Sequence, residues 1–333
     1  MNRPVVFIAL IVLSVVAFPL QVYAKIALAQ VRIQVVDQDG DVVPDAKIWG
    51  GFTCGGGMND YVLVDGFTDT NGLYVAEGRC NEILRFEVRK EGYYRTSIKI
   101  EFWRTKSDPK VKDGKWQPYG ETRTVVLKKI RNLGSLMVAD VGKLAVRERT
   151  IPKFDCWIPF DLEKFDWNAP YGTGTHPDVL LRFRNRTTPH WYDFTDCMDI
   201  SFTNNPFAGA YEVKKDGDSD MKTVYVADSN ATYKSDYSFV CERTANGKRT
   251  EIYLKDDSYL VFRTRTTVDD EGRLKAAHYG VIHGYWMSGG DNMRFTDGCF
   301  NPTENDRNIE DSYYLREIVK HYRDKIRLSG SNK

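Results

Sequence analysis

The sequence predicts an all-β fold made of two successive β domains and a short C-terminal helix. Short segments in which apolar and polar residues alternate recur along the chain, and turn signals rich in Gly, Asp and Asn separate them. This pattern is typical of antiparallel strands packed into a sandwich or barrel. Between residues 237 and 284, four such segments follow one another with tight turns between them, which predicts an antiparallel meander.

The first predicted domain covers residues 30–130. It begins with VRIQVVDQDGDVVPDAKIWGGF, residues 31–52, in which two alternating segments flank the turn signal Asp39-Gly40. Further strand candidates lie at residues 66–78, 83–103 and 121–130. Short strands at this spacing predict a β-sandwich.

A set of spaced residues in this domain resembles the carboxypeptidase regulatory-like domain. The matching positions are Ile33, Val35, Asp37, Gly40, Val43 and Ala46, then Thr68, Asp69, Gly72 and Tyr74, then Lys90, Gly92 and Tyr93. The resemblance implies a transthyretin-like (prealbumin) sandwich that serves as an accessory module of secreted and surface proteins. It implies no catalytic residue. The segment FTCGGGMNDYVLVDG, residues 52–66, is an insertion relative to the family pattern.

Residues 131–310 are predicted to form a second, larger antiparallel β domain, either a sandwich or a jelly roll. Besides the four segments named above, strand candidates lie at residues 178–185, 197–204, 209–215 and 222–229. The stretches DLEKFDWNAPYG, HYGVIHG and FNPTENDRNIED are similar to those of uncharacterised secreted bacterial proteins that pair this region with the regulatory-like module. That resemblance implies an architecture and no activity.

The tail, residues 311–333, is predicted to contain one amphipathic helix. Lys and Arg accumulate toward its C-terminal end, where the helix dipole favours cations. Its apolar residues recur at helical intervals at Leu315, Ile318, Val319, Tyr322 and Ile326. We expect the helix to dock on the second domain; binding to a partner is the alternative.

Residues 1–24 have the layout of a signal peptide. Arg3 precedes an apolar run, and small residues allow cleavage after Ala24 or, at a second site, after Ala29. An uncleaved membrane anchor is the alternative, but the run of about 14 apolar residues is short against the roughly 20 of a spanning helix. We therefore expect a secreted or periplasmic protein with no membrane span after cleavage.

The six cysteines lie in the exported part of the chain, at Cys54, Cys80, Cys156, Cys197, Cys241 and Cys299. An even number of cysteines in an oxidising compartment predicts disulfides. We expect Cys54 to pair with Cys80 in the first domain and the other four to pair in the second. No C-x-x-C spacing occurs, so a cysteine metal site is not favoured.

The near-neutral charge argues against nucleic acid and anionic lipid as partners. The chain has 47 Lys and Arg against 46 Asp and Glu, a formal net charge of +1. Such a balance supplies no general attraction for phosphate backbones. The expected partner is a surface polysaccharide or a protein, and the oligomeric state stays open.

Histidine and aspartate offer one weak hypothesis of a catalytic metal. His176 and Asp178 share one face of an extended segment, and His278 or His283 would complete a set of two histidines and a carboxylate. Pro177 interrupts the segment, and the five-residue spacing of the two later histidines places them on opposite faces of a strand. Scattered turn and surface histidines explain the pattern equally well.

Calcium is the other metal hypothesis. Asp216, Asp218 and Asp220 alternate as in a calcium-binding loop. The EF-hand pattern fails because Met221 occupies position 6 and Ala227 position 12. We therefore expect no cofactor, with calcium as the alternative to a polar turn.

Signals for an enzyme are weak throughout. The sequence contains no G-x-S-x-G motif, and His190 and Asp193 have no evident serine partner. Gly172-x-Gly174 lacks the third glycine of a nucleotide loop. A glycosidase needs two facing carboxylates, and sequence alone does not select a pair.

The high aromatic content, 13% of residues, gives the best hypothesis for a ligand. Aromatic side chains on loops of a β-sandwich can stack on sugar rings, although filling the core is the alternative. The candidates are Trp157, Trp167, Tyr171, Trp191 and Tyr192. The sequence thus favours an exported, non-enzymatic recognition or adhesion protein; the alternatives are an extracellular hydrolase or metal-dependent enzyme, and a structural envelope component.

Overall fold

The computed structural model describes residues 26–54, 61–81, 83–102, 111–131, 148–184, 194–202, 205–244, 246, 249–252, 258–283, 287–289, 292–294 and 297–310. Within these ranges the regular structure is entirely strand, which confirms the all-β fold class. The signal peptide predicted at residues 1–24 and the helix predicted within residues 311–333 lie outside them. In the described ranges no helix is long and apolar enough to cross a membrane.

The strands of residues 27–127 form two sheets that face each other. They are β1 (Ala27–Asp37), β2 (Lys47–Thr53), β3 (Tyr61–Phe67), β4 (Leu73–Cys80), β5 (Ile83–Arg89), β6 (Thr96–Glu101), β7 (Val111–Lys112), β8 (Lys115–Trp116) and β9 (Glu121–Leu127). One sheet has the order β4-β1-β8-β7, with β9 also pairing with β1, and the other has the order β3-β2-β5-β6. We call this unit the first sandwich.

Alternation along β1 and β2 builds the core of the first sandwich. Val31, Ile33 and Val35 on β1 are buried, whereas the residues between them are partly or fully exposed. Ile48 and Phe52 on β2 enter the same hydrophobic cluster from the facing sheet. Because side chains alternate across a strand, Trp49 and Gly51 on β2 belong to the outer face, and Gly50 faces inward.

The strands of residues 148–301 form three further sheets. They are β10 (Glu148–Thr150), β11 (Ile158–Asp161), β12 (Asp166–Trp167), β13 (Val179–Arg184), β14 (Phe194–Ser201), β15 (Gly209–Lys214), β16 (Asp236–Arg243), β17 (Arg249–Ile252), β18 (Ser258–Val268), β19 (Leu274–His283), β20 (Met287–Gly289), β21 (Asn292–Arg294) and β22 (Asp297–Asn301). The sheet orders are β12-β11-β13-β14-β16-β17, β15-β18-β19-β22 and β10-β21-β20. We call this unit the second sandwich.

Strand β18 is buried on both faces. Leu260 and Phe262 pack in the cluster shared with the six-stranded sheet, whereas Tyr259 and Val261 pack in a cluster on the other side. That second cluster is completed by Ile309 and neighbouring residues, which lie over the four-stranded sheet. A strand covered on both sides carries an almost continuous run of apolar residues, as YLVF does.

Two predictions for this region are wrong. The four successive segments do not form one meander, because β16 pairs with β17 in one sheet and β18 with β19 in another. Residues 222–229 do not form a strand; they make a single bridge, between Val226 and Asn308. This segment instead helps to cover the four-stranded sheet, because Ala227 is buried in the same cluster as Ile309.

A joint of hydrogen bonds connects the two sandwiches. The Tyr94 hydroxyl donates to Oε1 of Glu310 at 2.7 Å, and the backbone N–H of Arg131 donates to the same oxygen at 2.8 Å. The Tyr225 hydroxyl contacts the carbonyl oxygen of Lys129 at 2.6 Å, and the Arg131 guanidinium lies 4.1 Å from the centre of the Tyr225 ring. Burial raises the pKa of Tyr225 to about 12, so its hydroxyl stays protonated at neutral pH.

Candidate functional site

A groove with a volume of about 560 Å³ runs across the outer face of the β3-β2-β5-β6 sheet. We call it the sheet groove. The residues that matter for its chemistry are Trp49, Gly51, Tyr61, Arg85, Glu87 and Lys99. All of them lie in the first sandwich, on four neighbouring strands.

Two aromatic side chains of the groove lie next to the outward position of Gly51. Trp49 and Gly51 occupy outward positions of β2. Tyr61 is on the edge strand β3, where it pairs with Thr53 of β2. Trp49 is 50% exposed and Tyr61 is 53% exposed. Two exposed rings on one sheet face offer flat apolar surface to a ligand.

Gly51 allows this arrangement. A Cβ atom placed on Gly51 would lie 2.7 Å from Cδ2 of the Tyr61 ring, a separation too short for two carbon atoms. The Tyr61 ring therefore lies over the bare backbone of β2. Gly50 faces the other way, where a Cβ atom would lie 2.1 Å from the carbonyl oxygen of Arg85. A side chain at Gly50 would require strand β5 to move, and a side chain at Gly51 would require the Tyr61 ring to move.

Charged side chains form the opposite wall of the groove. Arg85 pairs with Gly51 on one side and with Lys99 on the other, so it lies in the middle of the sheet. Glu87 is held by Arg89 at 2.5 Å and by Arg95 at 3.1 Å. No ion pair of Arg85 is formed within the described ranges, and its side chain is exposed.

The predicted aromatic residues do not form one platform. Trp167 is 2% exposed, and its ring packs edge-on against Phe160 and Phe183 in the core. It fills the interior of the second sandwich, so the prediction of a surface role for Trp167 is wrong. Trp157 and Tyr171 are exposed. Trp191 and Tyr192 lie outside the described residues.

The surroundings of Trp157 are occupied by ion pairs. The Arg182 guanidinium lies 4.6 Å from the centre of the Trp157 ring and donates to Asp199 at 2.8 Å. Arg184 also donates to Asp199 at 2.8 Å, and the Ser238 hydroxyl donates to it at 2.7 Å. Burial raises the pKa of Asp199, but these three bonds outweigh it and hold that pKa below the usual value. We call this surface the Trp157 face.

The three aspartates of the calcium hypothesis contact the first sandwich. Asp220 accepts from Nε of Arg95 at 2.9 Å, the carbonyl oxygen of Asp218 accepts from the Ser97 N–H at 3.2 Å, and Asp216 lies 3.4 Å from Nζ of Lys128. In the parts of the chain that the structure describes, no group of histidine, cysteine and acidic residues has the geometry of a metal site. The segment forms part of the joint between the sandwiches, and calcium binding there stays a prediction without geometric support.

Among the described side chains the proposed metal triad is likewise not assembled; the side chain of His283 lies outside them. Asp178 is buried and receives two hydrogen bonds from Arg265, at 2.8 and 3.0 Å. Burial raises its pKa, because the arginine does not fully offset the loss of water. The His176 ring is exposed and points toward Asp161 at 3.9 Å, whereas His278 stacks on Phe300. Asp178 therefore binds an arginine where the hypothesis required a metal.

The predicted disulfides are not formed among the cysteines that the structure describes. The Cys54 sulfur lies 2.8 Å from the carbonyl oxygen of Arg79, next to Cys80 in the chain but not bonded to it. On β14 and β16, Asp196 pairs with Cys241 and Cys197 pairs with Val240, so the two cysteines are not directly opposite. Cys156 and Cys299 pack against different hydrophobic clusters.

The sheet groove was not predicted from the sequence. Two strands were predicted within residues 31–52, but the outward-facing residues of β2 were not identified. The available signal was Trp49 followed by two glycines in an alternating strand, because a large ring beside residues without side chains creates a depression. The contribution of Tyr61 lay in the inserted segment, whose pairing partner the sequence does not show.

Comparison with known proteins gives no family. No family model matches the sequence, and no curated protein resembles it. A 3-chlorocatechol 1,2-dioxygenase structure from Rhodococcus opacus matches with 18% identity and a TM-score of 0.25, covering 31% of this chain and 60% of that chain. A catechol 1,2-dioxygenase structure from Acinetobacter radioresistens matches with 15% identity and a TM-score of 0.25, covering 32% of this chain and 54% of that one.

A further solved structure matches over most of the chain. It is a DUF3823 family protein from Parabacteroides merdae, with 10% identity and a TM-score of 0.21, and the match covers 83% of this chain and 98% of that chain. The chain spans less than two thirds of the length of the two dioxygenases. TM-scores this low establish no shared fold, so these likenesses say nothing about function. The resemblance to the carboxypeptidase regulatory-like domain stays a prediction.

Proposed function

We propose that this is an exported recognition protein that binds a carbohydrate polymer in the sheet groove. The observation that carries the proposal is the pair of half-exposed rings, Trp49 and Tyr61, beside the bare backbone of Gly51. The export part of the proposal rests on the signal-peptide layout of residues 1–24.

The shape of the groove suits a sugar chain. A pyranose ring has apolar C–H faces that stack on aromatic rings and polar edges that need hydrogen-bond partners. Trp49 and Tyr61 supply the stacking surface, and Arg85, Glu87 and Ser97 supply polar groups along the wall.

Binding without cleavage fits the groove better than hydrolysis. Acid–base cleavage of a glycosidic bond uses two carboxyl groups on opposite sides of the bond. Glu87 is the carboxylate among the described residues that line the groove, and two arginines hold it. Its oxygens are already bonded to these arginines and are not free to approach a glycosidic bond.

Affinity electrophoresis of the mature protein through gels that contain soluble polysaccharides tests the proposal. We expect at least one polymer to retard the protein without loss of its chain length. Trp49→Ala should weaken retardation about tenfold, because stacking on an exposed tryptophan contributes about 1–2 kcal/mol. Trp157→Ala is the matched control, since it removes a similarly exposed tryptophan from the second sandwich. Chelation with EDTA should change nothing.

Three outcomes contradict the proposal. Retardation that Trp157→Ala abolishes and Trp49→Ala leaves intact would move the binding surface to the second sandwich. Shortened polymer chains after incubation would make the protein a hydrolase. Loss of retardation on chelation would restore the calcium hypothesis for Asp216, Asp218 and Asp220.

Assembly as an envelope component is a second candidate function, and strand β3 favours it. Tyr61, Leu63 and Phe67 are each more than half exposed on this strand, which pairs with β2 on one side. A bare apolar edge strand is a template for pairing with another chain. Sizing of the mature protein across micromolar concentrations tests it: concentration-dependent self-association that Leu63→Lys removes would favour assembly.

A further inference from the structure

We infer that the polymer in the sheet groove carries carboxylate groups, and that Arg85 is the residue that selects them. The inference rests on the proposed function, because it concerns the same groove. The inference extends the proposed function by assigning a class of ligand: a polyuronate or another polymer that carries carboxylate groups.

The inference starts from the partners of the basic side chains around the groove. Lys47 is paired with Asp65, Arg89 with Glu87, and Lys99 with Glu101. Arg95 bridges Glu87 and Asp220. Arg85 differs from all of these, because it forms no ion pair with any residue that the structure describes.

The position of Arg85 places this cation beside the stacking surface. Arg85 lies directly across from Gly51 in the β2–β5 register, and the Tyr61 ring lies over Gly51 from the other side. Neighbouring strands are about 4.8 Å apart, a distance close to the width of one sugar ring. A sugar stacked on the aromatic side of the groove therefore extends its substituents toward the guanidinium.

The chemistry of the guanidinium then favours a carboxylate. Its planar donors match the two oxygens of a carboxylate, and such charge-assisted pairs are stronger than neutral hydrogen bonds. Neutral hydroxyl groups gain less from the same donor. The carboxylate of Glu87, on the same strand, is already occupied by two other arginines and leaves Arg85 available.

The test compares polygalacturonate with the same polymer after chemical reduction of its carboxyl groups. The wild type should bind polygalacturonate at least about tenfold more tightly, because one charge-assisted pair contributes on that scale. The preference should fall as sodium chloride is raised, since the pair is exposed to solvent. Arg85→Gln should remove the preference, because it weakens binding of polygalacturonate much more than binding of the reduced polymer.

Matched variants separate this charge effect from general effects. Arg89→Gln removes another exposed arginine of the same strand and face, and it should keep the preference. Arg85→Lys keeps the charge and loses the planar donor pair, so an intermediate preference is expected. Thermal unfolding of each variant verifies folding, which an exposed position should not disturb.

The possible failures are distinguishable. Equal binding of both polymers, weakened for both by Trp49→Ala, would keep the groove as the binding site and overturn the inference. A preference for polygalacturonate that survives Arg85→Gln would also overturn it, as would selective binding of a sulfated polymer in place of the carboxylated one. Absence of binding to every polymer would overturn the inference and the proposed function together.

Discussion

The sheet groove and the Trp157 face each place a half-exposed tryptophan near arginine side chains, yet the two surfaces differ in what those arginines bind. In the groove, Trp49 is 50% exposed and Arg85 forms no ion pair with the described residues. On the other surface, Trp157 is 41% exposed and its ring is covered by Arg182, which binds Asp199.

The difference teaches that an exposed ring does not by itself make a binding surface. A ligand gains only from ring faces and donors that the folded protein leaves unoccupied, because any internal partner must first be displaced. At the Trp157 face, the cation and the ring already satisfy each other. In the groove, Gly51 keeps the ring and the cation accessible from the same side.

The largest expected effect comes from breaking the ion pairs of the Trp157 face. Asp199→Ala leaves Arg182 and Arg184 without their shared carboxylate, which is 8% exposed. We expect a loss of about 1.5–2 kcal/mol in the free energy of unfolding, measured with urea, because a nearly buried acceptor of three hydrogen bonds is removed while the two partly exposed arginines regain water. Asp236→Ala, an exposed carboxylate on the same strand pair, should change it by less than about 0.5 kcal/mol.

The same variant also tests the comparison directly. If internal pairing is what keeps the Trp157 face from binding, Asp199→Ala should create new retardation by polygalacturonate that Trp49→Ala does not remove. Absence of such a gain in a folded variant would mean that the carboxylate is not what distinguishes the two surfaces.

The next largest effect expected is a loss of folding stability at acid pH that depends on Asp199. The pKa of Asp199 is lower in the folded chain than in the unfolded chain, so the unfolded state binds more protons as the pH falls. Its contribution to stability is therefore present above about pH 4 and is lost on acidification. Between pH 6 and pH 3 the wild type should lose more stability than Asp199→Asn, as followed by urea unfolding at each pH. Parallel pH profiles would contradict this assignment.

Substitution of Gly51 should have a moderate effect. Gly51→Ala crowds the Tyr61 ring and the backbone of β3, because the added Cβ would lie 2.7 Å from the ring and 2.9 Å from the carbonyl oxygen of Val62. We expect the free energy of unfolding to fall by about 1 kcal/mol and polymer affinity to fall severalfold. In a Tyr61→Ala background, Gly51→Ala should cause no further loss of affinity. An additional loss there would show that the backbone, not the ring, is responsible.

The smallest effect is expected at Trp157. Trp157→Ala removes a partly exposed cation–π contact with Arg182 and should cost about 0.5–1 kcal/mol of stability. Polymer affinity should not change. Calorimetry of unfolding and gel retardation on the same preparation measure both quantities, and a loss of affinity without a loss of stability would reverse the ranking of the two surfaces.

Much of the fold could be predicted from the sequence, but little of the site. The candidates at residues 83–103, 121–130 and 209–215 all contain strands, because alternation and turn residues act locally. Residues 222–229 also alternate but cover a sheet instead of joining one, a choice made by distant residues such as Ile309. Of the aromatic residues predicted to bind a ligand, Trp167 lies in the core. Trp49, which is half exposed in the groove, was not among the predicted residues.

By itself, the sequence determined the all-β class, most strands and the turns between them, since these depend on neighbours a few residues apart. Only the tertiary structure decided which tryptophan is exposed, that Asp220 binds Arg95, and that Arg85 forms no ion pair within the described residues. The physical reason is that exposure and charge pairing depend on strand register and on contacts between sheets, which join residues far apart in the chain.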